Sequence, residues 1–348
     1  MFEDLLRAWD GEEAVIRFDE PSGAWMFVCV HSTALGPAGG GTRMRVYDRP
    51  GDGLADAMRL SQAMTAKMAC ANADRGGGKG VLAVPELPTG DARRALLLRY
   101  GDLVASLGGT YRTAGDMNIT PEDLDVVHER CAWVYGTTGA AGNSGRGTAI
   151  GVLHGIRASV EHVFGSPDLA GRTVLVQGAG SVGHDLAALL AADGARVLVS
   201  DVVEARAARA AGATVVSAAD ALTTECDVYS PCAVGGTLSE DSIPQLRCRI
   251  VAGSANNQLT TPADAQRLHD RGILYAPDYV INAGGVIQLI GLEDNGWDEQ
   301  ELERNLAAIG DTLRGLFRDA EEVGITPAAA AERLAAQRIA AKRAEALT

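Results

Sequence analysis

The stretch Thr173-Val174-Leu175-Val176-Gln177-Gly178-Ala179-Gly180-Ser181-Val182-Gly183 joins an apolar strand to a glycine-rich turn, and an alanine-rich helix follows it. In this setting Gly178 permits a tight turn, Gly180 lets backbone approach a pyrophosphate, and Gly183 allows close helix-to-strand packing. The start of the helix offers free N–H groups and positive potential to phosphates. A tight turn without a nucleotide is the alternative. We predict a dinucleotide site formed by Gly178, Ala179, Gly180, Ser181, Val182 and Gly183.

An acidic residue specifies the dinucleotide. Asp201 follows the next apolar strand, 23 residues after Gly178. A carboxylate at this place accepts a hydrogen bond from the adenosine ribose 2′-OH and repels a 2′-phosphate. NAD is therefore the predicted cofactor, in preference to NADP. The glycines before Lys79 are not a second phosphate loop, because position 73 is Ala and position 80 is Gly where a Walker motif has Gly and Ser or Thr.

Short apolar strands alternate with helical segments around this turn. Such alternation is typical of a parallel sheet that is covered by helices on both faces. The strands are predicted at 174–176, 197–199, 214–216, 227–229, 250–252 and 273–275. The last 45 or so residues are rich in Ala, Glu and Arg and are predicted to be helical throughout. The sequence therefore predicts a Rossmann-type domain with a mostly parallel sheet.

Composition limits the possible functions. The chain has 348 residues, is 47% apolar and has a net charge of -14, which suits a two-domain globular protein and argues against a nucleic-acid groove. We expect no membrane partner, since no apolar run reaches the roughly 20 residues that span a bilayer. The histidines and cysteines lack metal-site spacing, so no metal is expected. Six cysteines without a Cys-x-x-Cys pair, and an acidic start without a secretory leader, predict a cytoplasmic protein.

Only three of the 31 Lys and Arg residues are lysines, at positions 67, 79 and 342. Lysine differs from arginine because the pKa of its ammonium group falls readily on burial, which suits it to acid–base chemistry. Lys67 falls on the apolar face of a helix predicted from 53 to about 72. Lys79 lies between a run of glycines and a buried strand at 81–84. These positions favour functional roles over solvated surface charges.

Asp116 is a carboxylate whose position also favours a functional role. A strand predicted at 110–114 leads into Gly115-Asp116-Met117-Asn118, and a new helix begins at Thr120-Pro121 with an N-cap residue and a proline in the first turn. Asp116 therefore lies on a loop at a strand end, a common place for a working residue. Another strand pair is predicted at 14–18 and 25–30.

We predict two α/β domains with a cleft between them. Residues 1–140 form a mixed α/β domain for substrate binding and oligomerisation, and residues 141–326 form the Rossmann NAD-binding domain. The glycine-rich stretch at 139–147 has the composition of a hinge. The C-terminal helix, 327–348, is predicted to return to the first domain and complete it.

The motifs taken together resemble those of the glutamate/leucine/phenylalanine/valine dehydrogenases, and especially the shorter leucine, valine and phenylalanine branch. The resemblance runs over nearly the whole chain. It covers residues 35–43, 64–68, 76–80, 113–116, 178–183, 252–258 and 276–285. It implies reversible oxidative deamination of an L-amino acid to its 2-oxo acid and ammonia with NAD, and a homo-oligomer formed through the N-terminal domain.

The resemblance also implies roles for individual residues. Lys67 would hold the substrate carboxylate, helped by Asn256 and the backbone at Gly40 and Gly41. Lys79 would be the catalytic lysine, and Asp116 its acidic partner in proton transfer. Three residues would lie near the nicotinamide half of the cofactor: Thr148, Asn256 and Asn282.

Four apolar or small residues are predicted to line the side-chain pocket: Gly39, Ala114, Val286 and Leu289. Gly39 stands where leucine-type enzymes have a larger residue, which would leave more room, and none of the four offers a cation for a side-chain carboxylate. An apolar substrate of the leucine or valine type is favoured over glutamate, and a phenylalanine dehydrogenase is the alternative. Two remoter possibilities are a 2-hydroxy-acid dehydrogenase, which would use a histidine acid–base, and a non-catalytic NAD-binding sensor.

Overall fold

The computed structural model describes residues 2–207, 210 and 212–345. Contacts within the chain divide it into two compact units. The first unit comprises Met1–Asn143, Leu289–Gly296 and Leu334–Thr348, and the second comprises Ser144–Gln288 and Trp297–Arg333. Two ends of the predicted first domain, Met1 and residues 346–348 of the C-terminal helix, lie outside the described residues.

The first unit contains a five-stranded mixed sheet in the order β1-β2-β4-β3-β5. The predicted strand pair forms an antiparallel hairpin with Glu13 opposite Val30, and β2 continues antiparallel to β4. β3 runs parallel to both β4 and β5. The strands are β1 Glu13–Asp19, β2 Ala24–Ser32, β3 Ala38–Arg45, β4 Gly76–Ala83 and β5 Tyr111–Gly115. The glycines that precede Lys79, expected to flank a strand, are themselves part of β4.

Helices cover both faces of this sheet. One face packs against α2 through a cluster that includes Phe27, Met58 and Val81. The other face packs against α3 and α4, with Tyr100 and Leu97 in the core. The helices are α1 Phe2–Trp9, α2 Pro50–Cys70, α3 Gly90–Ala105 and α4 Pro121–His128. As predicted, Thr120 is the N-cap of α4 and a proline lies in the first turn; Thr120 and Asp123 also satisfy each other's backbone N–H groups in a capping box.

The second unit contains a six-stranded sheet that is parallel throughout, in the order β11-β10-β9-β6-β7-β8. This is the doubly wound order, whose switch point lies between β6 and β9, where ligands bind at the carboxyl ends of the strands. The strands are β6 Thr173–Gln177, β7 Arg196–Ser200, β8 Thr214–Val215, β9 Val228–Pro231, β10 Ile250–Val251 and β11 Leu274–Tyr275. The predicted α/β class and parallel sheet are confirmed.

The remaining helices follow Asn143 in the sequence. They are α5 Gly145–Phe164, α6 Ser181–Ala192, α7 Glu204–Ala207, α8 Ala263–Asp270, α9 Asp278–Ile281, α10 Gly284–Glu293, α11 Glu299–Val323 and α12 Pro327–Glu345, with a 3-10 turn at Ile243–Gln245. The C-terminal region is not helical throughout, because Gly324 adopts a φ of 72° and ends α11 before α12 begins. Among the described residues, no helix combines the length and apolar character needed to cross a bilayer.

One segment differs from the predicted domain bounds. Leu289–Gly296 lies within the range predicted for the Rossmann domain, but it belongs to the first compact unit. Asp294 explains this placement, since its carboxylate accepts hydrogen bonds from Arg75 at 2.6 Å, and from Arg112 and Tyr135. The Arg112 guanidinium also lies over the Tyr135 ring, 4.1 Å from its centroid. This buried cluster fixes a segment that is distant in sequence.

The C-terminal helix α12 is shared between the two units, with its later part, from Leu334, in the first. Arg338 donates hydrogen bonds to the carbonyl oxygens of Ala69 at 2.7 Å and Cys70 at 2.9 Å. These carbonyls end α2, where the helix leaves its last C=O groups without intrahelical partners. A cation there is also favoured by the helix dipole. Arg338 therefore holds the end of α2, the helix that carries Lys67.

Replacing Arg338 with Leu is expected to destabilise the first unit by about 2 kcal/mol, because two charge-assisted hydrogen bonds to α2 are lost. Urea unfolding followed by tryptophan fluorescence measures this effect, since three of the four tryptophans, Trp9, Trp25 and Trp133, lie in the first unit. Arg333→Leu, at an exposed position of the same helix, is the matched control. Equal unfolding midpoints for the two variants would contradict this role.

Candidate active site and dinucleotide turn

Lys79 and Asp116 form a buried ion pair. Lys79 Nζ lies 2.8 Å from Asp116 Oδ2, and the two side chains are 7% and 22% exposed. Lys79 belongs to β4, whereas Asp116 directly follows β5, on a loop as the sequence predicted. The structure therefore brings together two predicted site residues that are 37 positions apart in the sequence. A buried ammonium group needs such a partner, because leaving it unpaired in a protein interior is costly.

The pair spans a third strand. β3 lies between β4 and β5, and two strand spacings amount to about 10 Å. Gly41 of β3 lies level with Ala114 of β5, and its neighbour Thr42 pairs with both Gly80 and Gly115. A Cβ atom on Gly41 would lie 2.5 Å from the Gly115 carbonyl oxygen and 3.0 Å from the Asp116 Cβ atom. A glycine at this position leaves the space in which the lysine and the aspartate meet.

Arg43 is a second partner of Asp116 that the sequence did not reveal. Its Nε atom donates to Asp116 Oδ2 at 3.0 Å, the same oxygen that Lys79 contacts. Burial by itself would raise the pKa of Asp116, but the charges of Lys79 and Arg43 outweigh burial and lower it to about 2. Asp116 is therefore a carboxylate throughout the neutral pH range. The sequence could have revealed Arg43, because side chains alternate along β3 and Arg43 therefore lies on the same face as Gly41.

Lys67 and Gly40 lie on neighbouring elements. Lys67 is half-buried in the last turn of α2, which packs across β4. A Cβ atom on Gly40 would lie 1.8 Å from the Gly78 carbonyl oxygen and 3.5 Å from Met64 Cγ, so this part of β3 lies directly beneath α2. The Gly40 carbonyl oxygen accepts a hydrogen bond from the Tyr111 hydroxyl at 2.6 Å. The backbone of β3 is thus held from both faces.

The residues predicted to line a side-chain pocket occupy different elements. Gly39 is buried in β3, where a Cβ atom would lie 3.1 Å from Met68 Cε. The room beside Gly39 is therefore taken by Met68, a residue that the sequence analysis did not single out. Ala114 is buried in β5, and Leu289 lies against Gly136 in the first unit. Val286 is half-buried in α10 and belongs to the second unit.

The glycine turn of the second unit has the geometry that the sequence predicted. Gly178 has a φ of 103°, and a Cβ atom there would lie 2.7 Å from the backbone of Ala233, which follows β9. A Cβ atom on Gly183 would lie 1.8 Å from the Gly178 carbonyl oxygen. Gly180 differs, because a Cβ atom there would meet open space. Two glycines thus permit close packing at the switch point, and the third exposes backbone to a ligand. Ala179, Ser181 and Val182 complete the turn and the start of α6.

Asp201 closes this turn. Its Oδ2 atom accepts a hydrogen bond from the Ala179 N–H at 2.8 Å, and its Oδ1 atom accepts one from the Val203 N–H at 2.8 Å. These bonds hold the carboxylate beside the glycine turn. Each carboxylate oxygen can accept a further hydrogen bond, so a ribose hydroxyl group can still bind.

Two predicted site residues, Asn256 and Asn282, form a hydrogen bond with each other. Asn282 Nδ2 donates to Asn256 Oδ1 at 2.7 Å and to the Ser254 carbonyl oxygen at 3.1 Å. Asn282 Oδ1 is buried, and no donor within the described part of the chain reaches it. A buried amide oxygen of this kind is suited to accept from the amide of a ligand. Thr148 lies nearby in the same unit, and its Oγ1 atom would be 2.7 Å from a Cβ atom on Gly285.

The described residues contain no group of three or more His, Cys, Asp or Glu side chains placed to hold a metal ion. All six cysteines carry free thiols. A buried lysine–carboxylate pair in one unit, and a glycine turn at the switch point of a parallel sheet in the other, are features expected of a nicotinamide-dependent oxidoreductase.

Comparisons with known proteins name the family. A model described as "Glu/Leu/Phe/Val dehydrogenase, dimerisation domain" matches residues 20–140, and one described as "Glutamate/Leucine/Phenylalanine/Valine dehydrogenase" matches residues 199–346. The chain is 45% identical over 345 residues to valine dehydrogenase of Streptomyces virginiae, covering 95% of this chain and 94% of the relative. Its identity to leucine dehydrogenase of Bacillus cereus is 38% over 343 residues, covering 97% and 93%.

The solved structure of another amino-acid dehydrogenase also matches the chain. The crystal structure of L-tryptophan dehydrogenase from Nostoc punctiforme matches with a TM-score of 0.84 and 38% identity, covering 99% of each chain. The chain belongs to the glutamate/leucine/phenylalanine/valine dehydrogenase family, and the resemblance inferred from its motifs is confirmed. It is an amino-acid dehydrogenase that works with a nicotinamide cofactor.

Replacing Gly41 with Ala is expected to lower kcat of the dehydrogenase about 100-fold, because the added Cβ atom displaces Asp116 from Lys79 by a large part of an ångström. Steady-state kinetics measure this loss, and circular dichroism verifies that the variant is folded. Gly51→Ala is the matched control, since a Cβ atom there meets open space. A folded Gly41→Ala enzyme with normal kcat would show that the pair does not depend on this glycine.

Proposed function

We propose that the chain catalyses NAD-dependent, reversible oxidative deamination of an apolar L-amino acid, of the leucine or valine type, to the 2-oxo acid and ammonia. The single observation that carries this proposal is the contact between Lys79 and Asp116 on the face of the sheet covered by α2. Relatives named valine dehydrogenase and leucine dehydrogenase, at 45% and 38% identity, support the substrate class.

Lys79 is the proposed catalytic residue. Loss of hydride from the substrate Cα requires a neutral amine and leaves an iminium group, which water must then attack. Lys79 Nζ takes a proton from the attacking water, returns one to the nitrogen that leaves as ammonia, and takes the hydroxyl proton as the 2-oxo group forms; the reverse reaction runs the same transfers backwards. Asp116, whose pKa is lowered to about 2, does not donate a proton near neutrality. The role we propose for Asp116 is therefore narrower than that of a proton-transfer partner: it holds and orients Lys79 as a carboxylate.

Lys67 is the proposed anchor for the substrate carboxylate, with the backbone at Gly40 and Gly41. Lys67 lies in the last turn of α2 and carries the positive charge that a substrate carboxylate requires. The two lysines thus have separate roles, one in binding and one in proton transfer.

The second unit fits a nicotinamide dinucleotide. Gly178 to Gly183 would hold the pyrophosphate, and Thr148, Asn256 and Asn282 would bind the nicotinamide half. The unpartnered Asn282 Oδ1 atom supports this assignment, since the carboxamide of the cofactor supplies the missing donor. When bound, the cofactor accepts a hydride from the substrate and returns it in the reverse reaction. NAD is favoured over NADP because Asp201 is held beside the turn, where a 2′-phosphate would meet its negative charge.

The proposed side-chain pocket is apolar. Its members in the first unit are Gly39, Ala114 and Leu289, together with Met68, which occupies the space beside Gly39. Apolar lining disfavours glutamate, whose second carboxylate needs a cation. A phenylalanine dehydrogenase remains the alternative, because Met side chains are flexible and adapt to larger substrates.

The family excludes the two remoter alternatives, a 2-hydroxy-acid dehydrogenase and a non-catalytic sensor. A homo-oligomer is also proposed, supported by the description of the matching N-terminal model as a dimerisation domain. A cytoplasmic location is supported by the six free thiols.

NADH consumption with ammonium and a panel of 2-oxo acids tests the proposed function. We expect the highest kcat/KM with 4-methyl-2-oxopentanoate or 3-methyl-2-oxobutanoate, a lower value with phenylpyruvate, and little turnover of 2-oxoglutarate. NADPH should replace NADH poorly because of Asp201. One methylene is worth only about 1 to 3 kcal/mol, so several apolar substrates should react. A preference for 2-oxoglutarate would overturn the pocket assignment.

Replacing each lysine with Met separates the proposed roles. Lys79→Met should lower kcat by at least about 1000-fold, because the proton-transfer group is lost. Lys67→Met should mainly raise KM for the amino acid, because the carboxylate loses its cation. Lys342→Met, on the exposed part of α12, is the control and should match the wild type. Undiminished turnover by Lys79→Met would refute the mechanism.

A further inference from the structure

A row of alternating charges extends from the active-site pair into α2. Its order is Lys79, Asp116, Arg43, Asp56 and Arg59. Arg43 Nη1 donates to Asp56 Oδ2 at 2.8 Å, and Arg59 Nη2 lies 2.7 Å from Asp56 Oδ1. The row joins β4, the loop after β5, β3 and α2. Nothing in the proposed chemistry uses its last three members.

Arg43 occupies the centre of this row. Its side chain is 13% exposed, as is that of Asp56, so both charges are largely removed from water. Charges in such a place are maintained only when each is paired. The planar guanidinium has donors on several edges, so one side chain can bond to Asp116 through Nε and to Asp56 through Nη1 at the same time. A lysine has a single nitrogen and cannot bridge the two carboxylates in this way.

Asp56 is fixed independently of Arg43. The Tyr47 hydroxyl donates to Asp56 Oδ2 at 2.8 Å, and Arg59 binds its other oxygen. Burial would raise the pKa of Asp56, but these bonds and the charges of Arg43 and Arg59 lower it. Asp56 is thus a fixed anion on α2, against which the Arg43 guanidinium rests. By this route, α2 determines where the Asp116 carboxylate lies.

We propose that Arg43 is a positioning residue that holds the Asp116 carboxylate against Lys79, and that Asp56 holds Arg43 in turn. This inference rests on the proposed role of Lys79 in proton transfer. The contacts of Arg43 that carry this inference are those with Asp116 and Asp56, so its proposed effect on Lys79 passes through Asp116. It affects the reaction by position and by charge, since its Nε atom and Lys79 Nζ both lie within 3.0 Å of one oxygen.

The charge row predicts opposite effects for two substitutions. Lys79 faces Asp116, Asp116 faces Arg43 of β3, and Arg43 faces Asp56 of α2, which Tyr47 and Arg59 also contact. Removing a cation makes a nearby group hold its proton more tightly, and removing an anion does the reverse. In Arg43→Gln, the pH at which deamination activity rises should move upward by about half to one unit. In Asp56→Asn, it should move downward.

The position of Arg43 beside Asp116 also predicts an effect on kcat. Without Arg43, the Asp116 carboxylate stays paired with Lys79 but loses the bond that fixes its orientation, so Arg43→Gln should lower kcat about 10- to 100-fold. KM for the amino acid should stay within about twofold, because Lys67 is unchanged. Arg43→Lys retains the charge but not the bridge. It should return the pH profile to near its wild-type position while kcat stays low.

The experiment compares these three variants with the wild type by pH-dependent kinetics and by NMR of protein labelled at lysine Cε. Only three lysines are present, so Lys79→Met assigns the Lys79 signal without ambiguity. The controls are Arg49→Gln and Asp52→Asn, an exposed ion pair at the start of α2 whose side chains are 75% and 40% exposed. Neither control should change kcat or the Lys79 signal.

Opposite displacements of the Lys79 titration in Arg43→Gln and Asp56→Asn, with a loss of kcat at constant KM, are the expected result. Displacement in one common direction, no displacement, or a rise in KM without a fall in kcat would overturn the proposal. The NMR titration needs no turnover. A wild-type protein inactive on every 2-oxo acid would therefore refute the proposed function, while the NMR result would still decide whether Arg43 and Asp56 act on Lys79.

Discussion

The ion pair between Lys79 Nζ and Asp116 Oδ2 is the interaction around which Arg43, Asp56 and Gly41 of the first unit are arranged. A buried ammonium group is stable only beside a fixed anion, and here the anion lies beyond an intervening strand. Three features satisfy this constraint together. Gly41 leaves space above β3, Arg43 donates to the same Asp116 oxygen that Lys79 contacts, and Asp56 on α2 binds Arg43. The pair of Lys79 and Asp116 is therefore the end of a row of charges that continues into α2.

Two segments from late in the sequence are held to the first 143 residues by hydrogen bonds from arginine side chains. Asp294 binds a segment from late in the sequence to Arg75 and Arg112, and Arg338 of α12 holds the last carbonyls of α2. In both cases an arginine satisfies groups that would otherwise be left buried without partners. Arginine suits these structural positions because its charge is permanent.

The dinucleotide turn and the pair of lysines were predictable from the sequence, because their signals are local. Gly178, Gly180 and Gly183 act within six residues, and the strand and helix on either side are read from apolar periodicity. The loop position of Asp116 was likewise evident from the adjoining strand and the helix start at Thr120. The contact between Lys79 and Asp116 came only from family resemblance, since no spacing rule joins residues on two strands separated by a third.

The sequence by itself determined the class of fold, the dinucleotide turn and the residue types available for catalysis, because backbone preferences and short-range packing act between near neighbours. Only the tertiary structure decided that Arg43 and Asp56 stand behind Asp116, that Met68 fills the space beside Gly39, and that Leu289–Gly296 belongs with the first unit. These facts depend on strand order and on the direction of α2 across the sheet. Such long-range pairings are fixed when buried charges and side-chain volumes must all be satisfied at once.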